Sequence, residues 1–148
     1  MSREPAIRTD IPHSARIWNY WMGGKDNYEI DRVQPVAVMF MGVLGHVATY
    51  DDARRVVSTV LDGVPSGSYL LLYDGTTDDE GYVALCAEYT KSGGVPYHPR
   101  TREEVAGYFD GLEMVEPGFV SITQWRPENP DVGAVREIGA YCAVARKP

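Results

Sequence analysis

Two stretches of this chain combine residue types that could hold a ligand. The first is Trp18-Asn19-Tyr20-Trp21-Met22-Gly23-Gly24-Lys25-Asp26-Asn27. Its paired glycines permit close backbone approach or positive φ, and Lys25 and Asn27 offer hydrogen bonds. The second is Gly42-Val43-Leu44-Gly45-His46, directly after the apolar run Val36–Met41. Open α/β sheets bind ligands where parallel strands end, and an imidazole placed there can take up a proton near neutral pH. Each stretch also has a plainer reading. The glycine pair can close a helix before a solvated turn, and His46 can cap the helix that follows or pack in its loop.

Other groups promise less. Asp74, Asp78, Asp79 and Glu80 lack the alternating oxygen ligands and turn glycine of a hard-cation loop, so they read as a solvated loop with a helix N-cap, with Asp74 a candidate to line the cleft. His13 and His98 adjoin prolines and have no partner at metal-ligand spacing; no metal site is expected. Cys86 and Cys142 sit singly in apolar segments, as small core residues of a reduced compartment do. Trp125 reads as a core or rim aromatic.

The elements that would position these residues follow from pattern. Ser14 can cap a short aromatic helix, Ala15 to Met22, closed by Gly23-Gly24. Val36 to Met41 reads as a strand buried on both faces. Asp51-Asp52 can open a helix whose Val56, Val57, Val60, Leu61 and Val64 recur at helical spacing, with Gly63 and Pro65 as its stop. A second apolar strand, Ser68 to Tyr73, completes a β-α-β unit, for which a parallel pair is expected. Helices follow at Tyr82 to Lys91 and, from the capping-box spacing of Thr101 and Glu104, up to Phe109. Leu112 to Val115, Phe119 to Trp125 and Ile138 to Ala145 read as short strands that add an antiparallel hairpin.

Composition bounds the function. With 148 residues, 44% hydrophobic and 24% charged, the chain can form one domain with a real core. The apolar run Val36 to Leu44 is too short for a bilayer span, and the polar first ten residues show no secretory h-region, so a cytoplasmic location is expected. The net charge of −7 is unevenly spread: residues 1–32 balance five basic against five acidic side chains, leaving the whole deficit in 33–148. Basic runs reach only Arg54-Arg55 and Arg146-Lys147. A phosphate backbone needs a basic stripe, so neither nucleic acid nor an anionic membrane is an expected partner.

The block Trp18 to Tyr28, followed by Asp31-Arg32, resembles the opening signature of a family of actinobacterial S-adenosylmethionine-dependent methyltransferases. Pro35 to His46 resembles that family's fourth strand and its loop. The likeness continues through Val64–Leu70, Thr101–Val105, Phe109–Leu112 and Trp125-Arg126-Pro127. The resemblance implies that Tyr20, Gly23, Gly24, Lys25 and Asn27 form a lid over cofactor and acceptor. It also implies that Gly42 and Leu44 present backbone to the methionine end of S-adenosylmethionine, and that His46 lines the methyl-transfer site. Family members usually carry an aromatic residue beside this histidine, where Val47 stands here. The implied reaction is direct methyl displacement from the sulfonium to a small-molecule acceptor of unknown identity.

The likeness is not collinear. Asp31-Arg32 runs almost directly into Pro35, and no glycine-rich loop follows a strand with an acidic residue about 20 positions on. At ~30 residues per β-α-β unit, on the order of 100 residues of the family pattern have no counterpart. The expected fold is therefore an incomplete Rossmann-like α/β methyltransferase fold: a helical lid segment in 1–34, and in 35–148 the domain's second half, parallel β-α-β plus a C-terminal antiparallel hairpin. Two functions stay open: a methyltransferase of the family, or an inactive, shortened remnant that acts, if at all, as an interaction module. Because the family's fourth strand pairs on one side with the absent first, strand 36–41 is expected to be an apolar edge, covered by the N-terminal aromatic helix or by a second copy of the chain.

Overall fold

The computed structural model describes residues 33–127 and 136–148. Strand β1 (Ala37–Met41) leads through a 3-10 turn (Leu44–His46) into helix α1 (Tyr50–Asp62) and strand β2 (Tyr69–Gly75). Helices α2 (Glu80–Lys91) and α3 (Arg102–Gly107) follow, then the short strands β3 (Glu113–Met114) and β4 (Val120–Ser121), a 3-10 turn (Ile122–Gln124), and strand β5 (Ala140–Arg146).

β1 and β2 pair in parallel, from Ala37 opposite Tyr69 to Met41 opposite Tyr73, as their connection through α1 requires. β5 inserts antiparallel beside β2, with Tyr69 opposite Arg146 and Gly75 opposite Ala140. The order is β1-β2-β5-β3, with β4 pairing a different part of β5. This is the mixed α/β arrangement expected, with β1 at the edge of the sheet.

Local signals explain the helices. Thr49, extended at φ −111, caps α1 by accepting from the Asp52 amide, so Asp51 and Asp52 occupy the first turn and are not themselves the cap. Ala53, Val57 and Leu61, spaced by four, bury one stripe of that helix. At its other end the Lys147 ammonium donates to the Leu61 and Val64 carbonyls at 2.8 and 2.9 Å, where a cation is favoured. α2 is capped by Asp79, and α3 carries the full capping box of Thr101 and Glu104.

The core lies on one face of the sheet. Val38 and Phe40 of β1, Leu70 and Leu72 of β2, and Ala143 and Ala145 of β5 pack there with α1 and with Val105, Tyr108 and Phe109. The expectation that β1 is buried on both faces is corrected. Its residues alternate exposed and buried, with Met39 and Met41 57% and 48% exposed, because α1 and α3 cover only the side toward which Val38 and Phe40 point. The predicted strand Phe119–Trp125 is also cut short. After Ser121 the chain turns into a 3-10 helix, while the Ser121 hydroxyl pairs with both the amide and the carbonyl of Ile138, each at 3.1 Å. Cys86 and Cys142 are buried free thiols, and burial pushes the Cys142 thiol up. No described helix is long and apolar enough to cross a membrane.

Candidate functional site

The C-terminal ends of β1 and β2 lie side by side, and the chain after each turns sharply. Gly42 ends β1 at φ +63 and donates its amide to the Tyr73 carbonyl at 3.0 Å. A side chain there would require left-handed backbone and would crowd the Tyr73 ring at 3.3 Å. Leu44 is only 2% exposed and anchors the turn in the core, while its carbonyl accepts from the Val47 amide. His46 stands exposed at the end of the turn.

A strap from Gly94 to Arg100 lies across this turn. The His98 amide donates to the Gly45 carbonyl at 2.7 Å, and His46 Nδ1 is 3.1 Å from the Pro96 carbonyl. Tyr97 meets the His46 ring edge-on with centroids 4.9 Å apart. Tyr97 also packs so closely on Gly45 that a Cβ there would fall 2.3 Å from its ring. The aromatic neighbour that Val47 does not provide thus comes from Tyr97, about fifty residues farther along the chain.

Beneath the strap lies a buried polar cluster. Asp74, 1% exposed, accepts through Oδ1 from the Gly75 amide at 2.9 Å and from the Tyr97 hydroxyl. Among the described residues its Oδ2 has no partner, nor do Arg100 Nε and the Tyr108 hydroxyl. Arg100 donates to the Val47 carbonyl at 2.5 Å and lies beside Tyr108 at looser than hydrogen-bond geometry. Burial pushes the Asp74 carboxyl above its usual range, opposed by the bonds from Tyr97 and Gly75 and by the Arg100 charge. Burial likewise raises Tyr97, reinforced by its bond to Asp74, and pushes Tyr82 and Tyr108 each up to about 12.

Two hollows open near the ends of β1 and β2. One, about 330 Å³, is lined by Gly42, Tyr73, Gly75, Asp79, Tyr82 and Gly139 near the strand ends. The other, about 210 Å³ and largely apolar, lies on the open face among Met41, Leu71, Tyr73, Ile122, Trp125 and Val144. Trp125 is half-buried on its rim.

Of the residues singled out from sequence, Gly42, Leu44 and His46 come together at the end of β1. Tyr20, Gly23, Gly24, Lys25 and Asn27 lie outside the described residues. Asp74 does not line the strand-end hollow, being turned into the covered side of the sheet. The alternation Leu70, Leu72, Asp74 carried that signal, since alternate strand residues share a face. Tyr97 and Arg100 had none, because they sit in a loop without periodicity. Among the described residues no group of three His, Cys, Asp or Glu could hold a metal ion.

The family model described as S-adenosyl methyltransferase matches the chain in two blocks, residues 1–34 and 30–148. The chain belongs to this family. Among solved structures it is similar to a DUF574 family protein from Streptomyces avermitilis, with 35% identity and a TM-score of 0.71 over 83% of this chain and 47% of the other. It is also similar to a protein from Thermobifida fusca described as a candidate methyltransferase, with 28% identity and a TM-score of 0.70 over 91% of this chain and 52% of the other. The chain therefore spans about half the length of these relatives. A search of curated proteins finds no match.

The described residues do not fit a whole S-adenosylmethionine molecule. A nucleoside needs backbone that it can approach closely, and here the strand-end amides are already engaged. Gly42 donates to Tyr73, Gly75 to Asp74, Thr76 to the Gly139 carbonyl at 2.7 Å and Thr77 to the Arg100 carbonyl at 2.9 Å. Tyrosine rings cover Gly45 and Gly75 closely enough that a Cβ on either would clash. No methyl-transfer step is derived from this chain by itself.

Proposed function

We propose that this chain joins the opening segment of an S-adenosyl methyltransferase, residues 1–34, to the second half of its domain, residues 35–148, carrying the acceptor side of the cleft and binding no S-adenosylmethionine on its own. The observation that carries this reading is the internal closure of both glycine turns, after β1 and after β2, by hydrogen bonds and tyrosine rings. The two family blocks, which overlap within residues 30–34, agree with a seam close to Arg32–Pro35. When bound in a complete domain, S-adenosylmethionine supplies the methyl group for transfer to a nucleophilic acceptor. In such a domain His46 would stand beside the reacting atoms. Its Nδ1, if protonated toward the Pro96 carbonyl, leaves Nε2 as the basic nitrogen able to take the acceptor's proton. The acceptor is a small molecule of unassigned class.

Calorimetric titration of the full chain with S-adenosylmethionine, and with its demethylated product, tests the reading. The expected outcome is no saturable heat, meaning affinity weaker than about 1 mM, or ~4 kcal/mol. Micromolar binding overturns it and favours a self-sufficient enzyme.

A further inference from the structure

We infer that Tyr97 is a positioning residue for His46. It holds the imidazole in its Nδ1–H form and leaves Nε2 as the acceptor for a ligand that bears an O–H or N–H group. The role rests on the placement of His46 beside the reacting atoms proposed above.

An exposed histidine is ordinarily free to turn, and either ring nitrogen can carry its proton. His46 is exposed, yet two neighbouring residues of the strap meet it. Its Nδ1 lies 3.1 Å from the Pro96 carbonyl. A carbonyl has no proton to give, so this contact is a hydrogen bond only when Nδ1 carries the proton. In the neutral ring Nε2 is then the acceptor. Tyr97 meets the same ring edge-on, with centroids 4.9 Å apart and planes at 87°. Its bulk there resists the rotation that would take Nδ1 off the carbonyl.

Tyr97 is itself fixed at two further points. Its hydroxyl donates to Oδ1 of Asp74, a carboxyl only 1% exposed and tied in turn to the Gly75 amide at 2.9 Å. Its ring closes on Gly45, inside the turn that carries His46. One residue farther along, the His98 amide donates to the Gly45 carbonyl at 2.7 Å. A single side chain thus links the buried end of β2, the turn after β1 and the imidazole. A purely structural role would make any equal loosening of the fold disturb His46 equally. A positioning role ties the imidazole to the strap alone.

Nitrogen-15 correlation spectra of the histidine-labelled full chain, recorded where the ring is neutral, read the tautomer directly. His46→Gln assigns the signal. The parent should be mainly Nδ1–H at His46, the form that free histidine in water disfavours. Tyr97→Phe keeps the ring and removes the hydroxyl. It should move the ratio toward Nε2–H by about fivefold, the worth of one net hydrogen bond. Tyr97→Leu removes ring and hydroxyl together and should move it further. Asp74→Asn keeps an oxygen for the Tyr97 hydroxyl and should hold the parent ratio. Leu71→Ala, on the other face of the sheet, loosens the fold away from the strap and should hold it too. A parent that is mainly Nε2–H overturns the inference, as does the parent ratio persisting in Tyr97→Leu. A shift in Leu71→Ala as large as that in Tyr97→Phe overturns it in favour of a purely structural role. No cofactor enters this test. Binding of S-adenosylmethionine by the chain alone would overturn the half-domain reading and leave the tautomer result standing.

Discussion

The two faces of the sheet are built from the same strands and differ in almost everything else. On the covered face Leu70, Leu72 and Ala145 are fully buried beneath α1 and α3, and the row ends in Asp74 with its tyrosines and Arg100. On the other face Met39, Met41, Tyr69 and Ile122 stand exposed over a shallow apolar hollow. One side is a finished core with a polar network set into its end. The other has the composition of a core, and of the described elements only the 3-10 turn with Ile122 and the adjoining Trp125 reach over part of it. The difference teaches that the covered face holds the fold together, while the open face is where the half-domain proposed above would be completed.

The strongest test of that contrast is a pair of substitutions one residue apart. Leu72→Ala removes a fully buried side chain and should cost about 2–5 kcal/mol, as large-to-small changes in cores do. Leu71→Ala, on the open face, should cost less, about 1–2 kcal/mol, since its side chain is only partly buried there. Urea titrations read both. Equal losses would mean that the open face is buried in solution.

Much of this contrast was legible in the sequence, and what was not has a physical reason. The β-α-β unit, its parallel pairing and the capping box at Thr101 are local or periodic signals, and they are present. The exposure of Met39 and Met41 could not be read from an apolar run, because a run shows that cover is suited to it and not whether cover arrives. The strap from Gly94 to Arg100 was illegible for another reason. Its position is set by contacts from Tyr97, His98 and Arg100 to Asp74, Gly45 and Val47, each bridging more than twenty residues of sequence. The candidate site was therefore visible as a turn and a histidine, without the tyrosine that closes it.

Tyr97→Phe tests the strap next. It leaves the ring on Gly45 and removes the hydroxyl that Asp74 accepts from, so a buried carboxyl keeps only the Gly75 amide. A loss of about 1–3 kcal/mol is expected from leaving a buried acceptor short of a donor. Slow amide exchange at His98 should be lost with it, which a purely global destabilisation would not single out.

A smaller effect should appear as a pH slope. The folded pKa of Asp74 lies above its ordinary 3.8, mainly through burial. The folded state therefore binds this proton more tightly than the unfolded state. The stability it contributes is fully present below the unfolded pKa and is lost as pH rises through the folded pKa. Asp74→Asn keeps an oxygen for the Gly75 and Tyr97 donors and does not titrate. Relative to the variant, the parent should lose stability as pH rises from about 3.5 toward neutrality. Urea midpoints across that range check the direction, and a gap that narrows with pH would show that the bonds from Tyr97 and Gly75 outweigh burial.

The smallest effect belongs to the open face, where a small number is the informative one. Met39 is 57% exposed and its backbone groups point away from β2. Met39→Lys places a charge in water and disturbs no described partner, so stability should move by no more than about 0.5 kcal/mol. The lysine should also discourage edge-to-edge association at high concentration, as charged residues on edge strands do. Light scattering and urea unfolding of the same sample separate these two consequences. A loss above about 1 kcal/mol would place Met39 under cover in the isolated chain, and the two faces would then differ in what covers them, with neither left open.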